Sequence, residues 1–220
     1  MLYNYSMATA KKISTLKPHT VSTKSGSHPT RDKLLAATVQ LLATNLPQNI
    51  TAQMVLELSG ISRGSLYYHF DDVSELLEVA LVQSFAALVD KSLVKFAQII
   101  ENARNREDML SELTKVTDAT QKKSLRAIRF QRARLIVFGE DNPRLAAALA
   151  CEQQRLTDAI TDLIREAQNR GWMFKGVDSR SAAVLIQAYT LGMIVDDIVN
   201  EQMNQEDWTA LIHRLIQQVF

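Results

Sequence analysis

The run from Ser59 to Phe70, SGISRGSLYYHF, concentrates side chains that can contact nucleic acid. Arg63 offers a fork of hydrogen-bond donors to a guanine edge or a phosphate, and Ser65 can donate or accept at a base edge. The hydroxyls of Tyr67 and Tyr68 can reach phosphates while their rings contact thymine methyl groups. A run of this kind also occurs at the edge of a protein core, so its interpretation depends on the elements that hold it.

Helix-capping residues around this run predict two short helices joined by a tight turn. Thr51 is placed to cap the helix in TAQMVLELSG, and Gly60 suits the left-handed residue that ends it. Ser62 is placed to cap the next helix, RGSLYYHF. Two short helices joined in this way after a longer helix form a helix-turn-helix, whose second helix lies in the major groove of DNA. Spacing points Leu66 and Phe70 inward. The residues left facing outward are Arg63, Ser65, Tyr67, Tyr68 and His69.

The rest of the sequence has helical periodicity and no strand-like alternation. We expect Thr30 to cap a first helix that ends before Pro47, and Asp71 or Asp72 to cap a long helix that begins at about Val73. These patterns predict an all-α fold of about nine helices. They place a helix-turn-helix DNA-binding domain at 29–75 and a larger helical domain at 76–220. The positions predicted to be buried in the first domain include Leu34, Leu35, Thr38, Val39, Leu41, Leu42, Met54, Val55, Leu58 and Ile61.

Composition limits the class of protein. The chain has 220 residues, of which 46% are hydrophobic and 22% charged, and it carries a net charge of +1. A nucleic-acid site must therefore be a local feature of the surface. Cys151 is the only cysteine, which fits a reducing cytoplasm, and we expect its thiol to be a small core residue. No segment is long and apolar enough to cross a membrane, so we expect no membrane partner.

The composition of residues 1–28 predicts a disordered basic tail. They are rich in Ser and Thr and carry four lysines with no acidic residue and no apolar run. A secretory signal requires an uninterrupted apolar stretch. Because residues 1–28 lack such a stretch, we do not expect them to be a secretory signal.

The segment TAQMVLELSGISRGSLYYHFDDVSELL resembles the DNA-binding signature of the TetR family of transcriptional regulators. The positions that match in register are Thr51, Gly60, Ile61, Ser62, Arg63, Gly64, Ser65, Leu66, Tyr67, His69 and Phe70. The likeness spans about residues 30–80. It implies a ligand-responsive homodimer, a repressor that binds a palindromic operator in double-stranded DNA and is released by a small-molecule effector. The DNA-binding residues that it implies are Thr51, Ser62, Arg63, Gly64, Ser65, Tyr67, Tyr68 and His69.

The sequence departs from the family pattern at the start of the fourth helix. Asp71, Asp72 and Val73 stand where the family often has Pro-Ser-Lys, whose lysine reaches a phosphate. The acidic residues favour a helix N-terminus but repel phosphate. Lysines of the basic tail can compensate from the minor groove, or the tail can simply be a soluble extension. The acidic pair also suits a helix-turn-helix module that binds a protein instead of DNA.

The larger domain contains no residue pattern typical of catalysis. The histidines His19, His28, His69 and His213 lack metal-ligand spacing, and no glycine-rich phosphate loop or nucleophile elbow is present. We therefore predict no catalytic residue, no metal and no cofactor; a small all-α enzyme is the weakest alternative. By family resemblance this domain binds the effector and forms the dimer. Residues that could line an apolar effector pocket, or equally form plain core, are Met109, Phe130, Phe138, Trp172, Phe174, Tyr189 and Met193.

A basic cluster extends from Lys115 to Arg134, against the single acidic residue Asp118. Arg126, Arg129 and Arg132 follow at three-residue steps. Two interpretations are open: the helix recognises an anionic effector such as a carboxylate or acyl thioester, or it presents a solvated face. The residues expected to hold the core side are Leu125, Ile128, Leu135 and Ile136.

The last two helices carry more apolar surface than one chain can bury. The first is apolar nearly all round from Ala182 to Val195, and Gly192 allows another helix to approach closely. The second repeats apolar residues at three- and four-residue steps. Two such helices from each of two chains predict a four-helix interface in a homodimer. Its predicted residues are Leu185, Tyr189, Gly192, Trp208, Leu211, Ile212 and Leu215.

Overall fold

A computed structural model describes residues 28–219, apart from the side chains of Ile100 and Val219. Over this range the chain forms ten α-helices, two short 3₁₀ helices (Pro47–Asn49 and Lys123–Leu125) and no strand. The α-helices are α1 (Pro29–Leu42), α2 (Ala52–Ser59), α3 (Arg63–His69), α4 (Val73–Asn102), α5 (Arg106–Thr120), α6 (Arg126–Glu140), α7 (Pro143–Asn169), α8 (Ser179–Gly192), α9 (Ile194–Asp197) and α10 (Gln205–Val219). Counting the single turn α9 as a continuation of α8 gives nine α-helices, so the all-α prediction is confirmed for the described range. Of the predicted tail, residues 1–28, all but His28 lie outside it.

One compact unit contains α1, α2, α3, the start of α4, the end of α6 and the start of α7, with its described residues at 28–88 and Gly139–Glu152. Leu66 and Phe70 are buried in its core, as their spacing predicts. The prediction that Leu58 is buried is wrong, because this side chain is 43% exposed. Helix α2 ends one residue later and the chain turns away at Gly60, so no further helical turn covers Leu58. The fully enclosed core residues of this unit include Leu34, Val55, Leu66, Leu76 and Ala80.

Side-chain caps fix the ends of the helices in this unit. Thr51 Oγ1 accepts a hydrogen bond from the backbone N–H of Met54 at 3.3 Å, and Ser62 Oγ accepts one from Ser65 at 3.2 Å. Gly60 adopts the predicted left-handed conformation, with φ of 67°. All three features agree with the sequence-based expectation, since each depends on local chemistry.

The cap of α1 differs from the prediction. His28, not Thr30, is the capping residue, and its Nδ1 accepts a hydrogen bond from the backbone N–H of Thr30 at 3.3 Å. Pro29 is the reason, because proline favours the first helical position and so moves the cap to the residue before it.

A second compact unit contains α5, α8, α9, α10 and the remaining parts of α4, α6 and α7, with described residues at Val89–Phe138 and 153–219. The prediction that Ile128 and Ile136 face the core of α6 is wrong, because both are exposed. Arg129 is buried instead, and it forms a two-pronged ion pair with Asp197 at 2.7 Å for each contact. This pair turns the Arg129 face of α6 inward, which leaves the two isoleucines in solvent.

The thiol of Cys151, expected in a core, is exposed on α7. The core-facing positions of this part of the helix are taken by its neighbours Leu149 and Glu152. Because successive helical residues point about 100° apart, Cys151 lies on the outer side.

Candidate nucleic-acid interface, ligand cavity and dimer face

The outer face of α3 presents the predicted DNA-contacting side chains to solvent. Arg63 stands at the first residue of the helix and is exposed, and in the described part of the chain it has no ion-pair partner. Tyr68 is 82% exposed and Tyr67 is also exposed. A Cβ atom added at Gly64 would meet no neighbouring atom within 4 Å, so the surface beside Arg63 is open. An exposed cation and two exposed phenols on one N-capped helix are groups that hydrogen-bond to bases and phosphates.

The hydroxyl residues near this face combine capping with available hydrogen-bonding capacity. The hydroxyl oxygens of Ser62 and Ser65 lie 2.9 Å apart and share a hydrogen bond, and Ser65 is half-buried. Thr51 is exposed at the start of α2 and accepts a backbone hydrogen bond. Since a hydroxyl that accepts one bond still has a proton to donate, Thr51 can also reach a phosphate oxygen.

His69 lies at the end of α3 in a small stack of rings. Its ring centroid is 4.5 Å from that of His28 and 5.0 Å from that of Tyr68. Partial burial, followed by the charges of His28 and Arg31, lowers the pKa of His69 below its ordinary value of 6.5. The lowered pKa favours the neutral imidazole, which can offer DNA a hydrogen bond.

The acidic pair at the start of α4 has a structural role. Asp72 Oδ1 accepts a hydrogen bond from the backbone N–H of Glu75 at 2.8 Å, and the carboxylate of Glu75 accepts one from the N–H of Asp71 at 2.7 Å. This reciprocal arrangement resembles a capping box. Of the two predicted caps, Asp72 is the one that the structure selects.

The second unit contains two neighbouring cavities that are partly open to solvent. The larger has a volume of about 80 Å³, and Thr117, Arg132 and Tyr189 contribute polar groups to its lining. The smaller has a volume of about 30 Å³ and a fully apolar lining that includes Met109 and Met173. The side chains of Phe96, Leu113, Ile160 and Ile186 border both cavities.

Two of the predicted pocket residues line these cavities, Tyr189 the larger and Met109 the smaller. The other five line neither. Phe174 and Phe138 are exposed, and Met193 is buried elsewhere in the unit. Phe130 and Trp172 lie beneath the guanidinium groups of Arg126 and Arg170, at 4.4 and 4.8 Å. Of the cavity residues that the pocket prediction omits, Arg132 belongs to the basic cluster, whereas Thr117 has no distinguishing mark in the sequence.

The predicted dimer residues divide between the interior and the surface. Leu185 and Leu215 are about half exposed, Leu211 is 49% exposed, and Gly192 faces open space. Ile212 is buried in its own chain, and the indole N–H of Trp208 donates to Gln121 Oε1 at 2.9 Å. Tyr189 turns inward, with its hydroxyl 3.3 Å from that of Thr117. Helices α8 and α10 border the same cavity through Tyr189 and Ile216, and both keep exposed leucines on their outer sides.

Two further observations bear on partners and cofactors. Within residues 28–219, no helix combines the length and the apolar character needed to cross a membrane. Over the same range, no group of three or more His, Cys, Asp or Glu side chains is arranged to hold a metal ion.

Comparisons with known proteins agree with this architecture. No protein-family model matches the sequence. The chain is 22% identical over 191 residues to the HTH-type transcriptional regulator UidR of Escherichia coli K12, which covers 84% of this chain and 92% of that protein. Among solved structures it is similar to GusR of Salmonella enterica, with a TM-score of 0.66 and 23% identity over 89% of this chain and 97% of GusR.

A TetR-family transcriptional regulator from Rhodococcus, described as putative, gives a TM-score of 0.61 at 21% identity over 87% of this chain and 99% of its own. These relatives are regulators, which confirms the prediction that the chain is not an enzyme. The helix-turn-helix, the all-helical architecture and these likenesses lead to one conclusion: the chain has the fold of the TetR-family transcriptional regulators.

Proposed function

We propose that the chain is a dimeric, ligand-responsive repressor that binds a palindromic operator through α3 and is released by a small-molecule effector. The observation that carries this proposal is the exposed face of α3. Its cation, Arg63, and its two phenols, Tyr67 and Tyr68, stand on a helix whose fold is secured by Leu66 and Phe70. Such a division between an anchored inner face and a donor-rich outer face is what a recognition helix requires. The cytoplasmic location belongs to the same proposal, because operator DNA lies there.

Each residue at this face has a proposed role. Arg63, at the helix start, reads a base edge or contacts a phosphate, and Tyr67 and Tyr68 contact phosphates and thymine methyl groups. Gly64 lets the helix approach the DNA backbone closely. The remaining contacts, to phosphates and base edges, come from Thr51, Ser62, Ser65 and His69.

The acidic pair does not require a protein partner in place of DNA. The side chain of Asp72 and the backbone N–H of Asp71 are engaged in the capping arrangement of α4. Their presence is therefore explained by helix formation, and the donors on α3 remain the features that favour nucleic acid.

Dimerisation supplies the second recognition helix that a palindromic site needs. The proposed interface is the outer side of α8 and α10, with Leu185, Gly192, Leu211 and Leu215 exposed near its centre. A twofold axis would bring the same residues of both chains together in a self-complementary contact.

Arg63→Ala and Tyr67→Ala are each expected to weaken operator binding by roughly 1–3 kcal/mol, because each removes a base or phosphate contact. The operator is obtained by selecting genomic fragments that the wild-type chain retains, and affinity is measured by mobility shift. Helix content and dimerisation should not change, since both side chains are exposed. Lys91→Ala is the control, because it removes one charge from an exposed position on α4. Wild-type affinity in both α3 variants would contradict the assignment of this helix.

A further inference from the structure

We infer that the effector is an amphipathic carboxylate whose anionic head binds at Arg132 and whose apolar tail points toward Met109 and Met173. This inference rests on the proposed function, because it names the class of molecule that acts at the effector site.

The polar end of the site is the larger cavity. Arg132 on α6, Thr117 on α5 and Tyr189 on α8 all line it. The two hydroxyls lie 3.3 Å apart, so one or both can turn a proton toward a bound oxygen. A guanidinium with two hydroxyls beside it is a donor set suited to the two oxygens of a carboxylate.

The position of Arg132 favours a ligand with a negative charge. Burial lowers the pKa of the Arg132 guanidinium, which means that loss of solvent penalises its charged form. An arginine nevertheless keeps its proton at neutral pH. Its Nη2 donates to the amide oxygen of Gln153 at 2.9 Å, which holds the planar group in place. A carboxylate at this position would add a charge–charge attraction to the hydrogen bonds that the guanidinium donates.

The apolar end of the site is the smaller cavity. Its lining contains no polar side chain, and four of its residues also border the larger cavity. A ligand that enters beside Arg132 therefore meets only apolar side chains as it extends past Phe96 and Ile186. Volumes of about 80 and 30 Å³ suit a slender alkyl chain better than a bulky ring system.

A chain of hydrogen bonds connects the head-group position to the proposed dimer helix. Gln153 accepts from Arg132 and donates through Nε2 to Gln187 Oε1 at 2.6 Å. Gln187 belongs to α8, which carries Leu185 on its outer side. A carboxylate that engages Arg132 competes with Gln153, so its binding can alter the position of α8.

The first test uses the wild-type chain and three probes of equal length: octanoate, 1-octanol and octylamine. Titration calorimetry should give octanoate an affinity roughly ten- to a hundredfold above that of octanol, with the amine weakest, because only octanoate pairs a negative charge with the guanidinium. Hexanoate and butanoate should bind more weakly in turn, by about fourfold for each methylene removed. Octanol binding as tightly as octanoate, or no binding of octanoate, would overturn the inference.

The second test compares two arginines on α6. Arg132→Gln should lower octanoate affinity at least about tenfold and leave octanol unaffected, whereas Arg134→Gln removes the same charge from an exposed position and should change neither. Circular dichroism checks the fold; if Arg132→Gln does not fold, Tyr189→Phe replaces it, with a smaller expected loss. Equal octanoate affinity in wild type and in the folded variant would refute the role of Arg132. Operator binding, measured separately by mobility shift, distinguishes failure of this inference from failure of the proposed function.

Discussion

Leu211→Glu is expected to convert the dimer into monomers and to lower affinity for a palindromic operator by about a hundred- to ten-thousandfold. Leu211 is exposed in the single chain, and its predicted partner surface is the same face of a second chain. Two glutamates would then meet near the twofold axis, where their charges repel and lose solvent. Operator affinity falls because a dimer holds its second recognition helix at a high effective concentration beside the second half-site. A monomer loses this advantage.

Sedimentation and mobility shift measure the two effects of this change. Val94→Glu is the matched control, since it places the same charge at an exposed apolar position on a different helix, α4. Because α4 is not one of the two proposed interface helices, this variant should remain dimeric and bind the operator normally. A dimeric Leu211→Glu variant with full operator affinity would contradict the proposed interface.

Asp197→Ala is expected to destabilise the protein by roughly 3–5 kcal/mol, because it leaves the charge of Arg129 buried without its carboxylate. Both side chains are only 4% exposed, and the ion pair joins α6 to the turn α9. Arg129 Nη1 also donates to the carbonyl of Lys122 at 3.2 Å, but a neutral carbonyl does not replace the lost charge. Urea denaturation at a fixed chain concentration measures the effect, since dimerisation also contributes to stability.

Asp158→Ala provides the control for this prediction. Asp158 pairs with Arg180 at 2.8 Å, but both side chains are about half exposed. Solvent screens such a pair, so its loss should cost about 1 kcal/mol or less. Equal destabilisation by the two changes would show that burial does not set the strength of the Arg129–Asp197 pair.

The features that could be predicted from sequence are those fixed by neighbours along the chain. Thr51, Ser62 and Gly60 occupy the predicted capping and turn positions, because capping depends on residues two or three positions away. The inward positions of Leu66 and Phe70 follow from helical spacing in the same way. The capping, turn and inward-facing positions of the helix-turn-helix could therefore be predicted from neighbouring residues.

The features that could not be predicted depend on distant residues. Arg129 is buried only because Asp197, 68 positions later, meets it. Thr117 reaches Tyr189 across 72 positions, and nothing in the local sequence marks either for that contact. Aromatic character alone also misplaced Phe174, which is 70% exposed. Periodicity identifies which residues share a helix face, but it does not identify the residues that the face meets.

The most direct test of the central claim is selection of genomic DNA by the full wild-type chain, followed by measurement of the number of chains bound to the shared sequence. The account predicts an inverted repeat whose half-sites lie about one helical turn apart, or a multiple of it, with two chains bound to each repeat through their α3 helices. Retention of fragments with no common sequence, or tight binding of one chain to a single half-site, would contradict it.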